Sequence, residues 1–319
     1  MATLISWTNE TWNPTTGCTK VSDGCTHCYA EGLSLRFGWS KKKWSKVNEK
    51  ENVILHPERL SKPYSFKKPS KVFVNSMSDL FHEMIPDEFI AQVFAVMNSL
   101  PQHTFQILTK RPERAAKWPG PWTDNIWMGT SVEDSRVLHR VDSLRTCQAK
   151  TLFLSCEPLI GPLGESVNLS MIDWVIVGGE SGPHLAGGPS KNPRWLKQEW
   201  AREIRDLCLA QGVAYFYKQD SDVKTERRVA LVHEDGTRWL WQQYPGHLTP
   251  PVQVLDEAEV AAPFSNKTVK SFSDAALVVN RPQVAAPGKG KAQAPRPRKG
   301  KEADVTESRE ALLEQLRLM

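Results

Sequence analysis

The chain has 319 residues, of which 40% are hydrophobic and 24% charged, with 41 Lys and Arg against 36 Asp and Glu and a formal net charge of +5. That length holds one large domain or two small ones, and no stretch approaches the roughly eighteen consecutive apolar residues of a membrane-spanning helix. The mild basicity is compatible with a nucleic-acid partner without requiring one.

Read in chain order, residues 1–250 form the globular part. A first strand is predicted near Leu4 and Ile5, and a second at Lys71–Asn75, followed by a helix over Pro86–Leu100 with Phe89, Val93, Phe94 and Met97 at helical spacing. Thr104–Lys110 reads as a third strand and Pro112–Lys117 as a short helix. Ile126–Ser131 and a helix through Arg136–Arg145 follow, then strands at Thr151–Ser155 and Trp174–Gly178. A helix from Pro193 to Gln211 leads into a last strand at Val213–Lys218. Strands alternating with helices imply a parallel sheet. The expected fold class is therefore α/β: a full or partial (β/α) barrel of about 6–8 parallel strands, with a doubly wound open sheet as the competing arrangement.

Residues 251–305 are rich in Pro, Ala, Lys and Arg, as in Pro295-Arg296-Pro297-Arg298-Lys299. Such a segment buries too little apolar surface to offset chain entropy, so a disordered basic linker is expected. Residues 306–319, with Leu312, Leu313, Leu316 and Leu318, read as a short amphipathic helix.

Each predicted strand ends in polar residues suited to a site. These are Ser76, Ser78, Asp79, His82 and Glu83; Thr109, Lys110 and Arg111; Thr130, Ser131 and Glu133; Ser155 and Glu157; Glu180; and Lys218. Helix capping explains Ser and Thr at such positions. It explains Lys110, Glu157, Glu180 and Lys218 poorly, and these four are the candidate catalytic residues. In a barrel all these ends converge on one rim. Twelve tryptophans are present; Trp12, Trp44, Trp118 and Trp122 fall in predicted loops, where packing and base stacking are both open readings. Lys41-Lys42-Lys43-Trp44 and Tyr64-Ser65-Phe66-Lys67-Lys68 interleave aromatics with lysines, a pattern of solvated loops and of nucleic-acid contacts alike.

The most specific feature is Cys18, Cys25 and Cys28, spaced C-x6-C-x2-C. Clustered thiolates suit a thiophilic metal. Three ligands on a four-iron cluster leave one iron open to a substrate or cosubstrate. A structural zinc site usually shows two ligand pairs, and here Cys147, Cys156 and Cys208 are scattered singles. A zinc loop closed by a distant His or Cys stays an alternative, as part of a non-enzymatic zinc-stabilised nucleic-acid-binding or phage accessory interaction protein. Residues 1–20 lack a basic segment followed by an apolar run, so a reducing, cytoplasmic setting is expected.

The string Gly17-Cys18 … Gly24-Cys25-Thr26-His27-Cys28-Tyr29-Ala30 resembles the cluster loop of radical S-adenosylmethionine (SAM) enzymes, especially the spore photoproduct lyase-like branch. It is more similar still to a phage- and prophage-associated three-Cys-motif family of uncharacterised proteins, over Trp7 to about Pro245. Most radical SAM enzymes have C-x3-C-x2-C, and the longer first gap here enlarges the loop at small entropic cost. The resemblance implies a 4Fe-4S cluster on Cys18, Cys25 and Cys28, SAM as cosubstrate, and an electron donor. It also implies a bacterial, phage-linked setting, with a separate partner protein of the three-Cys-motif system, and extends the candidate substrates to a nucleobase, DNA or RNA. It assigns Ser76, Ser78, Asp79, Thr130, Ser131 and Glu133 to SAM binding. Gly178-Gly179-Glu180 looks like the motif that binds the SAM ammonium but follows a later strand, so a substrate pocket is its expected place. Near the end of the likeness Asp220 and Thr237 replace the usual Trp and Arg.

Overall fold

Side-chain alternation decides how the strands are used. In a strand successive residues face opposite sides, and here both sides are apolar for most of the strand length. A computed structural model describes residues 3, 5–165, 167–182 and 194–255. In chain order its elements are β1 (Glu10–Trp12), β2 (Thr15–Thr16), α1 (Tyr29–Arg36), α2 (Glu49–Asn52), β3 (Ile54–Leu55), β4 (Lys71–Val74), α3 (Asp87–Asn98), β5 (Thr104–Thr109) and α4 (Pro112–Ala116). Then come β6 (Ile126–Ser131), α5 (His139–Arg145), β7 (Thr151–Cys156), β8 (Trp174–Gly178), α6 (Gln198–Gln211) and β9 (Ala214–Gln219). The series closes with β10 (Leu231–Val232), β11 (Arg238–Leu240) and β12 (Val252–Val254).

Seven strands form one parallel sheet in the order β1-β4-β5-β6-β7-β8-β9, with β1 and β9 at its two edges. The order follows the chain without reversal. That excludes the doubly wound alternative, whose strand order must reverse at a switch point. The sheet is a half-barrel, as the alternating elements predict. β10, β11 and β12 form a separate antiparallel sheet, and β2 pairs with β3.

The first strand differs from expectation. It is Glu10–Trp12, registered with Val72–Val74 of β4, whereas Ile5 packs partly buried against the aromatic core and Leu4 lies outside the described residues. Three residues that include Glu and Thr carry too weak an apolar pattern to announce a strand. β12, at residues 252–254, also carries the folded unit past residue 250; that unit runs to Glu257. The rest of the expected linker and the terminal helix lie outside the described residues.

The outer face of the sheet buries Val72, Val74, Ile107, Met128, Leu154 and Val177. Tyr215 donates from its hydroxyl to the Ala201 carbonyl of α6 at 2.9 Å, tying β9 to its covering helix. The inner face carries Phe73, Phe153, Trp174, Ile176 and Phe216, packed with Trp7 from the N-terminal segment. Trp7 packs against Phe73 with centroids 4.7 Å apart and planes tilted by 52°, and meets Trp174 edge-on at 6.2 Å. From the other end of the unit Tyr244 lies 5.2 Å from Trp174, and Gln243 offers its carbonyl to the Trp174 indole at 2.9 Å. This plug fills the concave face with aromatic rings, each stabilising by about 1.5–3 kcal/mol through burial. The strand ends beyond it are left for polar residues.

Gly129 on β6 faces this plug, and a Cβ there would fall within the Phe153 ring. Gly129→Ala is therefore expected to cost about 1–3 kcal/mol through overpacking. Urea denaturation checks this, and Phe153→Leu in the same chain should recover part of the loss.

Candidate functional site

The cysteine loop is fastened to four strand ends. At its root the Gly17 N–H donates to the Met77 carbonyl at 3.0 Å, just beyond β4. Arg111, beyond β5, donates from Nη2 to the Thr19 hydroxyl at 2.8 Å and from Nη1 to Cys18 Sγ at 3.6 Å. Beyond β6, Glu133 accepts the Gly24 N–H at 3.3 Å through one oxygen and Arg140 at 2.9 Å through the other. Beyond β8, Glu180 pairs with His27 Nδ1 at 3.1 Å and with Arg194, whose Nη1 also donates to the Asp23 carbonyl at 2.6 Å. The loop then enters α1 at Cys28, and the Tyr29 hydroxyl returns to the Ser76 carbonyl at 2.7 Å.

One buried carboxylate organises the root. Asp79 Oδ1 accepts the Thr109 hydroxyl at 2.6 Å and the Phe81 N–H at 3.0 Å. Its Oδ2 accepts the Lys110 N–H at 3.1 Å and Arg111 Nη1 at 3.0 Å. A carboxylate offers about four acceptor positions, and all are taken by protein. Asp79 thereby joins the exits of β4 and β5 and aims Arg111 at Cys18. Alternation puts Thr130 with Met128 on the outer face, where its hydroxyl donates to the Thr109 carbonyl at 2.9 Å. Ser76 and Ser78 stay at the rim, bonded to Asn13 and Thr15. Ser131 lies on the inner face, and its carbonyl accepts from Arg140.

The same alternation brings Lys110, Ser131, Ser155 and Lys218 to the concave side. Lys218 Nζ pairs with Glu157 at 2.9 Å, and Ser155 donates to the second Glu157 oxygen at 3.2 Å. Burial alone would lower the Lys218 pKa, but the charges of Glu157 and Glu226 outweigh it and hold it above the ordinary ammonium value. Burial raises the carboxyl of Glu226, against the pull of Lys218. Tyr29, 49% exposed, stands beside this wall with its hydroxyl on the Ser76 carbonyl beyond β4. Three of the four candidate catalytic residues, Lys110, Glu157 and Lys218, thus share the concave face, whereas Glu180 is committed to the loop.

The three cysteines carry free thiols at intermediate burial. Cys18 is pushed up to about 12 by burial first and by Asp79 next, with Arg111 opposing. Cys28 is raised by burial, while the N–H groups of Glu31 and Ala30 at the start of α1, and Lys110 nearby, favour its thiolate. The charge of Cys25 acts on both of the others. Among the described residues no three His, Cys, Asp or Glu side chains are already drawn around one metal position. The donor set nevertheless suits a thiophilic cation: three free thiols lie on one short loop, and burial penalises the unneutralised thiolates of Cys18 and Cys28. Cys156 and Cys208 are fully buried, and Cys208 belongs to α6 on the other side of the sheet.

Sequence reading missed Arg140 and Arg194, which hold Glu133 and Glu180 on the loop, and Glu226, which acts on Lys218. Tyr29 carried a signal, its position directly after the last cysteine.

Fold and site define an α/β half-barrel with a cysteine loop across the C-terminal ends of its strands. The chain belongs to the DUF5131 family, described as a protein of unknown function, whose model matches residues 2–281. No curated protein and no solved structure matches it.

Two outcomes are expected from this geometry. Asp79→Ala leaves the Arg111 guanidinium without its buried partner, so it should destabilise the metal-free protein by about 3–5 kcal/mol. Urea denaturation without added ligand measures this. The Lys218 pKa is raised above 10.5. Its contribution to stability is therefore complete below that value and is lost as the pH rises through the raised one. The stability gap between the native chain and Lys218→Met should stay constant from neutral pH to about 10 and shrink above it.

Proposed function

We propose that this protein is an iron–sulfur, SAM-dependent radical enzyme working at the concave mouth of the half-barrel. The observation that carries the reading is the placement of three reduced cysteines on the rim where Lys110, Glu157 and Lys218 also converge. Strand C-terminal ends are where barrel folds build active sites. The Glu157–Lys218 pair bridges the ends of β7 and β9 on that same face. The sequence resemblance supplies the cofactor, and the donor set agrees with it.

Cys18, Cys25 and Cys28 would hold the cluster. Bound there with one iron open, it would supply the electron for reductive cleavage of SAM and so hydrogen-abstraction chemistry. The chain's own residues do the rest. Arg111 and Lys110 place positive charge beside the thiolates, and Glu133 and Glu180 fix the loop. Ser76 and Ser78 stand at the rim where a polar cosubstrate would enter, and the buried Ser131 and Glu133 hold Arg140 behind it. Glu157 and Lys218 offer a carboxylate and an ammonium to orient a substrate or move a proton. The aromatic plug shuts water out from below. An electron donor is required, and the association with phage and with a partner protein rests on the resemblance.

Anaerobic reconstitution with iron and sulfide tests the reading. Expected are a brown protein with about four irons per chain and SAM cleavage after chemical reduction. Cys18→Ala, Cys25→Ala and Cys28→Ala should each lose the iron, whereas Cys156→Ala keeps it. A colourless protein with stoichiometric zinc, or iron lost in Cys156→Ala, would overturn the assignment.

A further inference from the structure

Beyond the cysteine loop the chain builds a surface that the reading above leaves unused. α1 ends at Arg36, and Gly38 follows with φ +71, the left-handed conformation that terminates helices and favours glycine. Its backbone turn sends the Trp39 and Ser40 N–H groups back to the Ser34 carbonyl at 2.8 and 3.1 Å. Trp39 is thereby held beside Phe37, ring centroids 5.2 Å apart and tilted by 30°. Both rings face solvent, 57% and 58% exposed, and the Arg36 guanidinium lies 5.7 Å from the Phe37 centroid. Two large rings held rigidly in water cost free energy in the isolated chain, and such patches mark interaction sites.

The next residues surround the rings with positive charge. Ser40 and Trp44 are buried and hydrogen-bonded to each other at 3.0 Å. The Trp44 N–H is anchored on Glu31 at 2.7 Å, and Asn48 and Asn52 both donate to the Lys43 carbonyl at 3.0 Å. The arc between these anchors therefore projects Lys41, Lys42 and Lys43 outward, with exposed Lys46 and Lys50 beyond. Glu51 answers Lys42 and Glu49 answers Lys46; Arg36, Lys41, Lys43 and Lys50 keep the patch basic. Of the two readings open for Trp44, packing is the one the structure shows; the exposed rings here are Phe37 and Trp39.

We infer that Phe37 and Trp39, with Arg36 and the lysine arc, form a stacking platform for a single-stranded nucleic acid that leads to the concave mouth. Aromatic rings interleaved with cationic side chains are what such strands require: bases stack and phosphates meet lysines. A protein partner with an acidic, apolar face is the rival, but the paired ring faces, the flanking guanidinium and the lysine arc together match a strand's repeat of base and phosphate. α1 places the platform about 12 Å of helix from Cys28, within reach of a few nucleotides. The inference rests on the proposed function only in naming the substrate class.

The test is fluorescence anisotropy of the full chain with a labelled oligothymidylate, metal-free and reconstituted, against the same label on a duplex. Single strands should bind more tightly than duplex. Phe37→Ala and Trp39→Ala should each weaken single-strand binding by about ten- to a hundredfold while leaving the melting temperature and iron content unchanged. Replacing Lys41, Lys42 and Lys43 with Gln should flatten the slope of log affinity against log salt by about two. Phe37→Ala/Trp39→Ala binding as tightly as the native chain would assign any affinity to other basic segments and overturn the platform. So would a dimer in the native chain that this double variant turns into a monomer, since the rings would then be a self-contact. Iron uptake separates the two readings: binding that survives without any cluster-forming capacity sinks the radical enzyme and keeps the platform, and the converse result does the reverse.

Discussion

The Asp79–Arg111 pair is the contact on which the rest of the site depends. The carboxylate is buried at the exit of β4 and takes every hydrogen bond it can accept. Two of these come from the backbone and hydroxyl at the end of β5, and one from the guanidinium that reaches Cys18. A buried charge is tolerable only when paired and hydrogen-bonded. Satisfying Asp79 therefore fixes two strand ends and the root of the cysteine loop together. Glu133–Arg140 and Glu180–Arg194 repeat the device at β6 and β8.

Those pairs have a function only because the sheet gathers strand ends on one side. Parallel strands laid down in chain order turn all their C-terminal ends to a common rim. Alternation then sorts the residues: Thr109 and Thr130 turn under the helices, and Lys110 and Ser131 turn into the concavity. Below the rim the plug around Trp174 is aromatic, and above it stands the charged, partly buried Glu157–Lys218 pair. The half-barrel stays open between β1 and β9, and Tyr29 stands half exposed beside the exit of β4. That openness suits a large substrate better than a small one that must be enclosed, in keeping with a strand arriving over Phe37 and Trp39.

Legibility followed the strength of the local signal. Six of the sheet's strands announced themselves as apolar β-prone runs, and their order in the chain matched their order in space. β1 did not, because Glu10-Thr11-Trp12 is short and half polar and owes its conformation to pairing with β4. The polar strand ends were legible as a set, but not by role. Asp79 and Lys110 are equally conspicuous in sequence, yet one is consumed by internal hydrogen bonds and the other faces the concavity. Trp44 and Trp39 are both flanked by polar residues, and only the anchoring of Trp44 on Ser40 and Glu31 separates the buried ring from the exposed one.

The sequence by itself determined the α/β class, the parallel arrangement and the existence of a three-cysteine loop, because periodicity, turn residues and spacing are local properties of the chain. The tertiary structure alone decided between a half-barrel and a doubly wound sheet, since strand order is a matter of which edges meet. It also decided which charges are spent on holding the cysteine loop and which face the concavity. That division depends on contacts between distant segments, such as Glu133 with Gly24, Arg194 with Asp23 and Glu226 with Ser6, which form only when the sheet has brought them together.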